Sequence, residues 1–236
     1  MRRWAVVCTM LLSASAPAAA QAPYRATWWD AASVTVAGTL AVLPSALDLP
    51  RGPPSCAPCD PASLPGIDRA ALNTFSRPAG NASHALLAGV VGGAGIALLH
   101  GRPPAEQRGN AAVLANSVAW SAAANQWLKV LVGRHRPVLY TANAAAAASR
   151  ADNQRSFPSG HAAAAFAAAT SYVVIARREQ LPHRARNAIL LYAGAVSVST
   201  LRVVAGKHFP TDVAGGALLG SGVGWLVARV HSTQGR

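Results

Sequence analysis

Acidic residues are rare in this chain. Its 236 residues include only eight aspartates and glutamates, and beyond position 153 only Glu179 and Asp212 remain. A centre with two metal ions needs several carboxylate ligands close together, so it would be hard to build here. The glycine-rich phosphate loop of the Walker type is also missing. We therefore expect no metal site and no cofactor.

Lysine is scarcer still, with Lys129 and Lys207 set against nineteen arginines and a net charge of +13. Nucleic-acid-binding surfaces typically carry dense basic tracts with interleaved aromatic residues, and no such tract is present, so we expect no nucleic-acid partner. Arginines scattered between uncharged windows are instead typical of the loops of a membrane protein that handles an anionic substrate.

Charged residues make up 12% of the chain and hydrophobic residues 52%, a balance that favours a membrane protein. Alanine and leucine dominate the apolar segments, and none of them alternates strictly, which favours helices over strands. The five uncharged windows are 81–101, 109–128, 156–176, 187–201 and 213–228. The first three are long enough to cross a bilayer and the last two are marginal. We predict an all-α bundle of about five to six helices embedded in a membrane.

The N-terminus has the layout of a secretory signal over residues 1–20, with two arginines, a short apolar core and an A-x-A site. Residues 21–80 then form an N-terminal segment and loop, and 81–236 form the helical domain. Export implies an oxidising compartment, where Cys56 and Cys59 are expected to form a disulfide. Two cysteines alone cannot close a zinc site.

Arginine-rich segments 102–108 and 177–186 are expected on the cytoplasmic side by the positive-inside tendency. Counting spans from there puts residues 129–156 and 202–212 on the outer side. We therefore expect a bacterial inner-membrane protein with a site that faces the periplasm. The sequence leaves open whether residues 31–47 also span the membrane.

The sequence contains three notable motifs, and all three are expected on that outer side. Lys129 and Arg136 are seven residues apart, so on a helix that ended at Pro137 they would share one face. Pro158 suits the first position of the next helix, which would leave the amides of Ser159, Gly160 and His161 free to bind an anion.

The third motif combines Arg202, His208 and Asp212. Gly206 can end one helix and Pro210 can begin the next, which places His208 in the turn. Asp212 can then reach back to the imidazole and leave its other nitrogen as a nucleophile. Together the motifs supply cations, a helix N-terminus, two histidines and an orienting carboxylate, as phosphoryl transfer requires.

The patterns Lys-x6-Arg-Pro, Pro-Ser-Gly-His and Arg-x5-His-x3-Asp resemble the signature of the type 2 phosphatidic acid phosphatase superfamily over residues 109–230. That group includes lipid phosphate phosphatases, bacterial soluble acid phosphatases and vanadium-dependent haloperoxidases. The resemblance implies a helical bundle in which His208 is the nucleophile, Asp212 its partner and His161 the general acid. It also implies a set of phosphate-holding residues: Lys129, Arg136, Ser159, Gly160 and Arg202. The chain departs from the family in having Leu201 where serine is common, which puts one supporting hydrogen bond in doubt.

The leading hypothesis is a metal-independent phosphatase that hydrolyses a lipid phosphate or diphosphate through a phosphohistidine. The alternatives are a soluble periplasmic acid phosphatase, a vanadate-dependent haloperoxidase and a non-catalytic lipid-binding protein. His135 is expected to face away from Lys129 and Arg136, and Lys207 either adds positive field or is simply solvated. Four other histidines have no ligand partner at suitable spacing and receive no role: His84, His100, His183 and His231.

Overall fold

The computed structural model describes residues 23–231, so the predicted signal segment lies outside the described residues. Within this range the chain is all-α and contains no strand, which confirms the predicted fold class. Among the described residues, six long helices form the bundle and two further helices are single turns. The helices are α1 (Trp28–Ala46), α2 (Gly66–Arg69), α3 (Arg77–Leu99), α4 (Pro104–Val132), α5 (Ala144–Ala147), α6 (Gly160–Arg178), α7 (Arg184–Val204) and α8 (Pro210–Val230).

Glycines with a left-handed backbone end two of the long helices. Gly206, at φ +65°, follows α7, and Pro210 begins α8, so His208 lies in the turn as predicted. Gly133, at φ +59°, ends α4 three residues before Arg136. The prediction that Pro137 ends this helix is therefore wrong, and Arg136 lies in the connecting chain rather than on the helical face of Lys129.

Helix α6 forms the centre of the bundle and packs against α3, α4, α7 and α8. Its alanines are mostly buried, and their short side chains let neighbouring helices approach closely. Helix α8 faces it with Gly216, Gly220 and Gly224, where an added Cβ would collide with the α6 backbone. This row of glycines therefore permits the close packing of α8 against α6.

Three described helices are long and apolar enough to cross a membrane, namely α3, α7 and α8. The sequence had favoured the windows 109–128 and 156–176 over those of α7 and α8, and here the prediction was wrong. Helices α7 and α8 extend past their uncharged windows at both ends and reach 21 residues each. Helices α4 and α6 carry more polar or alanine positions and supply much of the buried centre.

The two ends of the bundle differ in chemistry. At one end Arg102 pairs with Glu179 at 3.1 Å, which joins the two segments that were predicted to be cytoplasmic. At the other end all three motifs meet, since Arg134 Nη1 and the amide of Ser159 both donate hydrogen bonds to Asp212. The expectation that the motifs share one end is confirmed, whereas the side of the membrane they face stays a prediction.

We expect Gly220→Val to destabilise the bundle, because its Cβ would meet the backbone of Ala163, which cannot move aside as a flexible side chain can. Overpacking of this kind costs about 1–3 kcal/mol or more. Gly222→Val is the matched control, since it lies on the same helix with open space around its Cβ. Chemical denaturation in detergent measures both free energies of unfolding. Equal losses in the two variants would contradict the packing argument.

Candidate active site

His208 is almost completely buried, with 1% of its surface exposed. Its Nδ1 lies 3.6 Å from Asp212 Oδ2, an ion-pair distance that is longer than a hydrogen bond. Burial holds the pKa of His208 well below its usual value, and the charges of Lys129 and Arg136 act in the same direction. The imidazole is therefore neutral at neutral pH, with a lone pair available on one nitrogen.

Asp212 is fully buried, and its carboxylate accepts hydrogen bonds from three directions. Arg134 Nη1 donates to Oδ1 at 2.6 Å, while Ser156 Oγ and the Phe209 amide donate to Oδ2 at 2.5 and 2.8 Å. These donors hold the side chain at the start of α8, where it also caps the helix N-terminus. Its position next to His208 is thus fixed by groups other than the imidazole.

Arg134 joins this carboxylate to a second buried one. Its Nη2 donates to Asp68 Oδ2 at 2.7 Å, and Asp68 also accepts from the amide and hydroxyl of Thr211 at 3.0 and 2.6 Å. The guanidinium lies over the ring of Phe209, 4.6 Å from its centroid. Sequence reasoning missed both Arg134 and Asp68. The available signal was the presence of an acidic residue, Asp68, in the N-terminal loop of a chain that has only eight acidic residues.

Lys129, Arg136 and Arg202 are each at most 7% exposed, and their charges lower the pKa of His208 or His161. Burial and, to a smaller extent, the charge of the nearby Arg136 together lower the pKa of Lys129 to about 7. So many buried cations repel one another, and an anion placed among them would relieve that repulsion.

Arg136 and Arg202 are each held by one side chain, and part of each guanidinium stays free. Arg136 Nη2 contacts Asp152 at 3.0 Å, and Arg202 Nη1 donates to Ser83 Oγ at 3.2 Å. The Nε atoms of both arginines, and Ser159 Oγ, are buried without a hydrogen-bond partner among the described residues. Buried polar atoms normally have partners, so these donors fit a site for a polar ligand.

The start of α6 differs in detail from the prediction. Helix α6 begins at Gly160 with Ser159 as its N-cap, so Pro158 lies one residue outside the helix. The sequence predicted a free amide at Ser159, but this amide donates to the carbonyl oxygen of Asp212 at 2.9 Å. Free amides are therefore those of the first turn, beginning with Gly160. An added Cβ at Gly160 would approach Asn125 Oδ1 to 3.0 Å.

His161 has a partner that sequence spacing did not suggest. Its Nε2 lies 2.9 Å from Nδ1 of His84, which projects from the exposed edge of α3. The sequence had given His84 no partner and no role, so this contact is a correction to that expectation. Burial lowers the pKa of His161 to about 3, with Arg202 the next contributor. His84 also lines a cavity of about 470 Å³ together with Arg202 and Lys207, so Lys207 lies at the mouth of the site.

The predicted disulfide between Cys56 and Cys59 is present. His135 faces it, with Nδ1 3.4 Å from Cys56 Sγ and 3.1 Å from Cys59 Sγ. This histidine supplies a third candidate metal ligand that sequence reasoning did not foresee. The two sulfur atoms are bonded to each other, however, so neither is a thiolate that could bind a metal.

Comparison with known families gives a match to the PAP2 superfamily over residues 110–236. The chain belongs to this superfamily. No curated protein and no solved structure gives a significant match. PAP2 membership fits a phosphatase or a related hydrolase, as the motifs had indicated.

The PAP2 segment contains all three motifs, but it does not contain every residue that supports them. Asp68, Ser83 and His84 all precede residue 110, and each contacts a motif side chain directly. Arg202, which follows Leu201, has a hydroxyl partner on another helix, since its Nη1 donates to Ser83 Oγ. Residues before the PAP2 segment therefore contribute partners to its motif side chains.

The lowered pKa of Lys129 makes anion binding pH-dependent. Sulfate is a suitable probe, because its charge stays constant between about pH 6 and pH 9. Lys129 is charged below its pKa of about 7 and neutral above it. We expect sulfate affinity to fall by up to about tenfold per pH unit above this value.

Lys129→Arg should remove most of that decline, since arginine keeps its charge throughout the range. Lys207→Arg, at the exposed mouth, is the matched control and should leave the decline in place. Calorimetric titration at several pH values measures the affinities. An unchanged decline in Lys129→Arg would show that another group titrates.

Proposed function

We propose that this PAP2 protein is a metal-independent phosphatase that hydrolyses a lipid phosphate or diphosphate through a phosphohistidine on His208. The observation that carries the proposal is a buried, neutral imidazole held next to Asp212 and surrounded by Lys129 and Arg136. A neutral imidazole is a nucleophile, and the cations stabilise the charge that builds up on the phosphoryl oxygens.

The proposed reaction has two steps. His208 attacks phosphorus through Nε2, since Nδ1 faces Asp212, and the leaving oxygen takes a proton from His161. Water then attacks the phosphohistidine, and His161 takes one of its protons as the N–P bond breaks. Arg136, Arg202 and the first amides of α6 would hold the phosphoryl oxygens throughout.

The positions of the carboxylates support a mechanism without metal. Asp212 and Asp68 both accept hydrogen bonds from Arg134, and Asp152 pairs with Arg136. Glu179 lies at the opposite end of the bundle, where it pairs with Arg102. Carboxylates with arginine partners are poor candidates for a shared divalent ion, because the guanidinium charge opposes the metal.

The arrangement of the apolar helices supports a lipid substrate. His208 lies between the end of α7 and the start of α8, and His84 lies near the start of α3, so the site is at one end of the three helices that are apolar enough to cross a membrane. Large apolar side chains such as Ile189, Leu190 and Leu218 are exposed on these helices. Exposure of such a surface to water is unfavourable, whereas contact with lipid is not. A phosphate at the membrane surface would reach the site while its lipid tail stayed in the bilayer.

Two substrates with different leaving groups separate the roles of the histidines. His208→Ala should abolish hydrolysis of both an alkyl phosphate and p-nitrophenyl phosphate, because the covalent step is lost. His161→Ala should reduce alkyl phosphate hydrolysis by about 100-fold or more and the nitrophenyl ester far less, since nitrophenolate leaves without a proton.

The values of kcat/KM for both substrates, measured with EDTA present, decide the assignment. Equal losses in His161→Ala would remove its role as general acid. Turnover that requires added Mg²⁺ would contradict the metal-independent mechanism. Activity retained in His208→Ala would exclude the phosphohistidine.

Membrane embedding is tested separately by fractionating cells and washing the membranes with alkaline carbonate. We expect the protein to stay in the pellet, because three apolar helices of at least 21 residues can each span a bilayer core. A protein that partitions into the wash would instead be the soluble periplasmic phosphatase.

Phosphate release from phosphatidate, phosphatidylglycerol phosphate and polyprenyl diphosphate would identify the preferred substrate.

A further inference from the structure

We propose that His84 is the positioning residue of the general acid: its Nδ1 accepts a hydrogen bond from Nε2–H of His161 and so leaves Nδ1 of His161 to serve the leaving group. This inference rests on the proposed phosphatase function. It concerns a residue outside the PAP2 segment, on a helix that contributes no motif.

The geometry of the two rings carries the proposal. The 2.9 Å separation of His161 Nε2 and His84 Nδ1 is that of a hydrogen bond, and the rings meet edge to face with centroids 4.6 Å apart. One nitrogen must donate and the other must accept, because a neutral imidazole has one donor and one acceptor. The tautomers of the two histidines are therefore coupled.

Helix α3 holds His84 firmly in register with the site. Ser83, the preceding residue, is fully buried and accepts a hydrogen bond from Arg202, while its own hydroxyl donates to the carbonyl oxygen of Gly80 at 2.6 Å. Helix α3 packs against both α6 and α7. Adjacent residues of one helix thus contact a phosphate-binding arginine and the predicted acid.

The proton balance of the reaction selects the direction of this hydrogen bond. His161 is neutral in the free site, and the negative charge of a bound phosphate favours the uptake of a proton from solvent. As the resulting imidazolium gives the proton on Nδ1 to the leaving oxygen, the P–O bond breaks and the N–P bond to His208 forms. His161 is then neutral and still has a proton on Nε2. When water hydrolyses the phosphohistidine, Nδ1 takes a proton from it. His84 accepts from the same Nε2–H in both states, with its own proton on Nε2.

A neutral acceptor suits the charge of this site. Arg202 from α7, Lys129 from α4, Arg136 from the following loop and Asp212 from α8 surround the α6 terminus, and Lys207 lies at the mouth. An aspartate at position 84 would compete with the substrate phosphate for these cations. The lone pair of His84 stabilises the imidazolium of His161 without adding an anion, and a protonated His84 would lose this effect.

The test compares His84→Ala, His84→Asn and His100→Ala. His100 is the matched control, since it is an exposed histidine at the far end of the same helix. We expect His84→Ala to lower kcat/KM for an alkyl phosphate by about 10- to 100-fold and for p-nitrophenyl phosphate by at most about threefold. His84→Asn should restore most of the lost activity, because its Oδ1 can accept where Nδ1 did. In a His161→Ala background, His84→Ala should cost nothing further.

The outcomes separate this inference from the proposed function. Equal losses on both esters in His84→Ala, no loss on the alkyl ester, or an equal further loss in the His161→Ala background would each overturn the role of His84. The phosphatase proposal would still stand if the wild type hydrolysed both esters and His208→Ala neither. A wild type inactive on both esters and on the lipid phosphates would overturn both. Sulfate binding by each variant confirms that the site is folded.

Discussion

The site depends on the fixed position of Asp212. Its side chain accepts from Arg134, Ser156 and the Phe209 amide, and its carbonyl oxygen accepts from the amide of Ser159. One residue thus connects the loop after α4, the start of α6 and the start of α8, which are the three motif segments. A buried carboxylate is stable only when it is well paired, so these contacts hold the motifs together as well as orienting His208.

The cationic side chains near this carboxylate form two groups, one paired with carboxylates and one largely unpaired. Arg134 is neutralised, since it lies between Asp212 and the fully buried Asp68. Lys129 and Arg202 are buried beside the imidazoles with no carboxylate partner among the described residues, and Arg136 has only the exposed Asp152. The folded chain therefore stores unpaired positive charge where a phosphoryl group would bind. Such preorganised charge destabilises the free protein slightly and stabilises a dianion strongly.

Much of this could be predicted from the sequence, because helix signals and motif residues are local. Glycine after α7 and proline before α8 placed His208 in its turn, and the uncharged windows gave the long helices. Local signals also misled: Gly133 ended α4 earlier than Pro137, and Arg136 left the helical face. The partners of the motif residues were not predictable, since Asp68 and His84 lie 66 and 77 residues from their contacts.

Helix α3 shows why the N-terminal part of the chain matters for a site whose motifs all lie beyond it. It is one of the three helices that are apolar enough to cross a membrane, yet near its start it directs Ser83 and His84 at the site. A helix needs only an apolar surface to span a membrane, so the contacts of Ser83 and His84 are not required for that role. On the face of α3 toward α6 and α7, Ser83 gives Arg202 a hydroxyl partner and His84 gives His161 a hydrogen-bond partner. Under the proposed function, the same helix crosses the bilayer and holds Ser83 and His84 against Arg202 and His161.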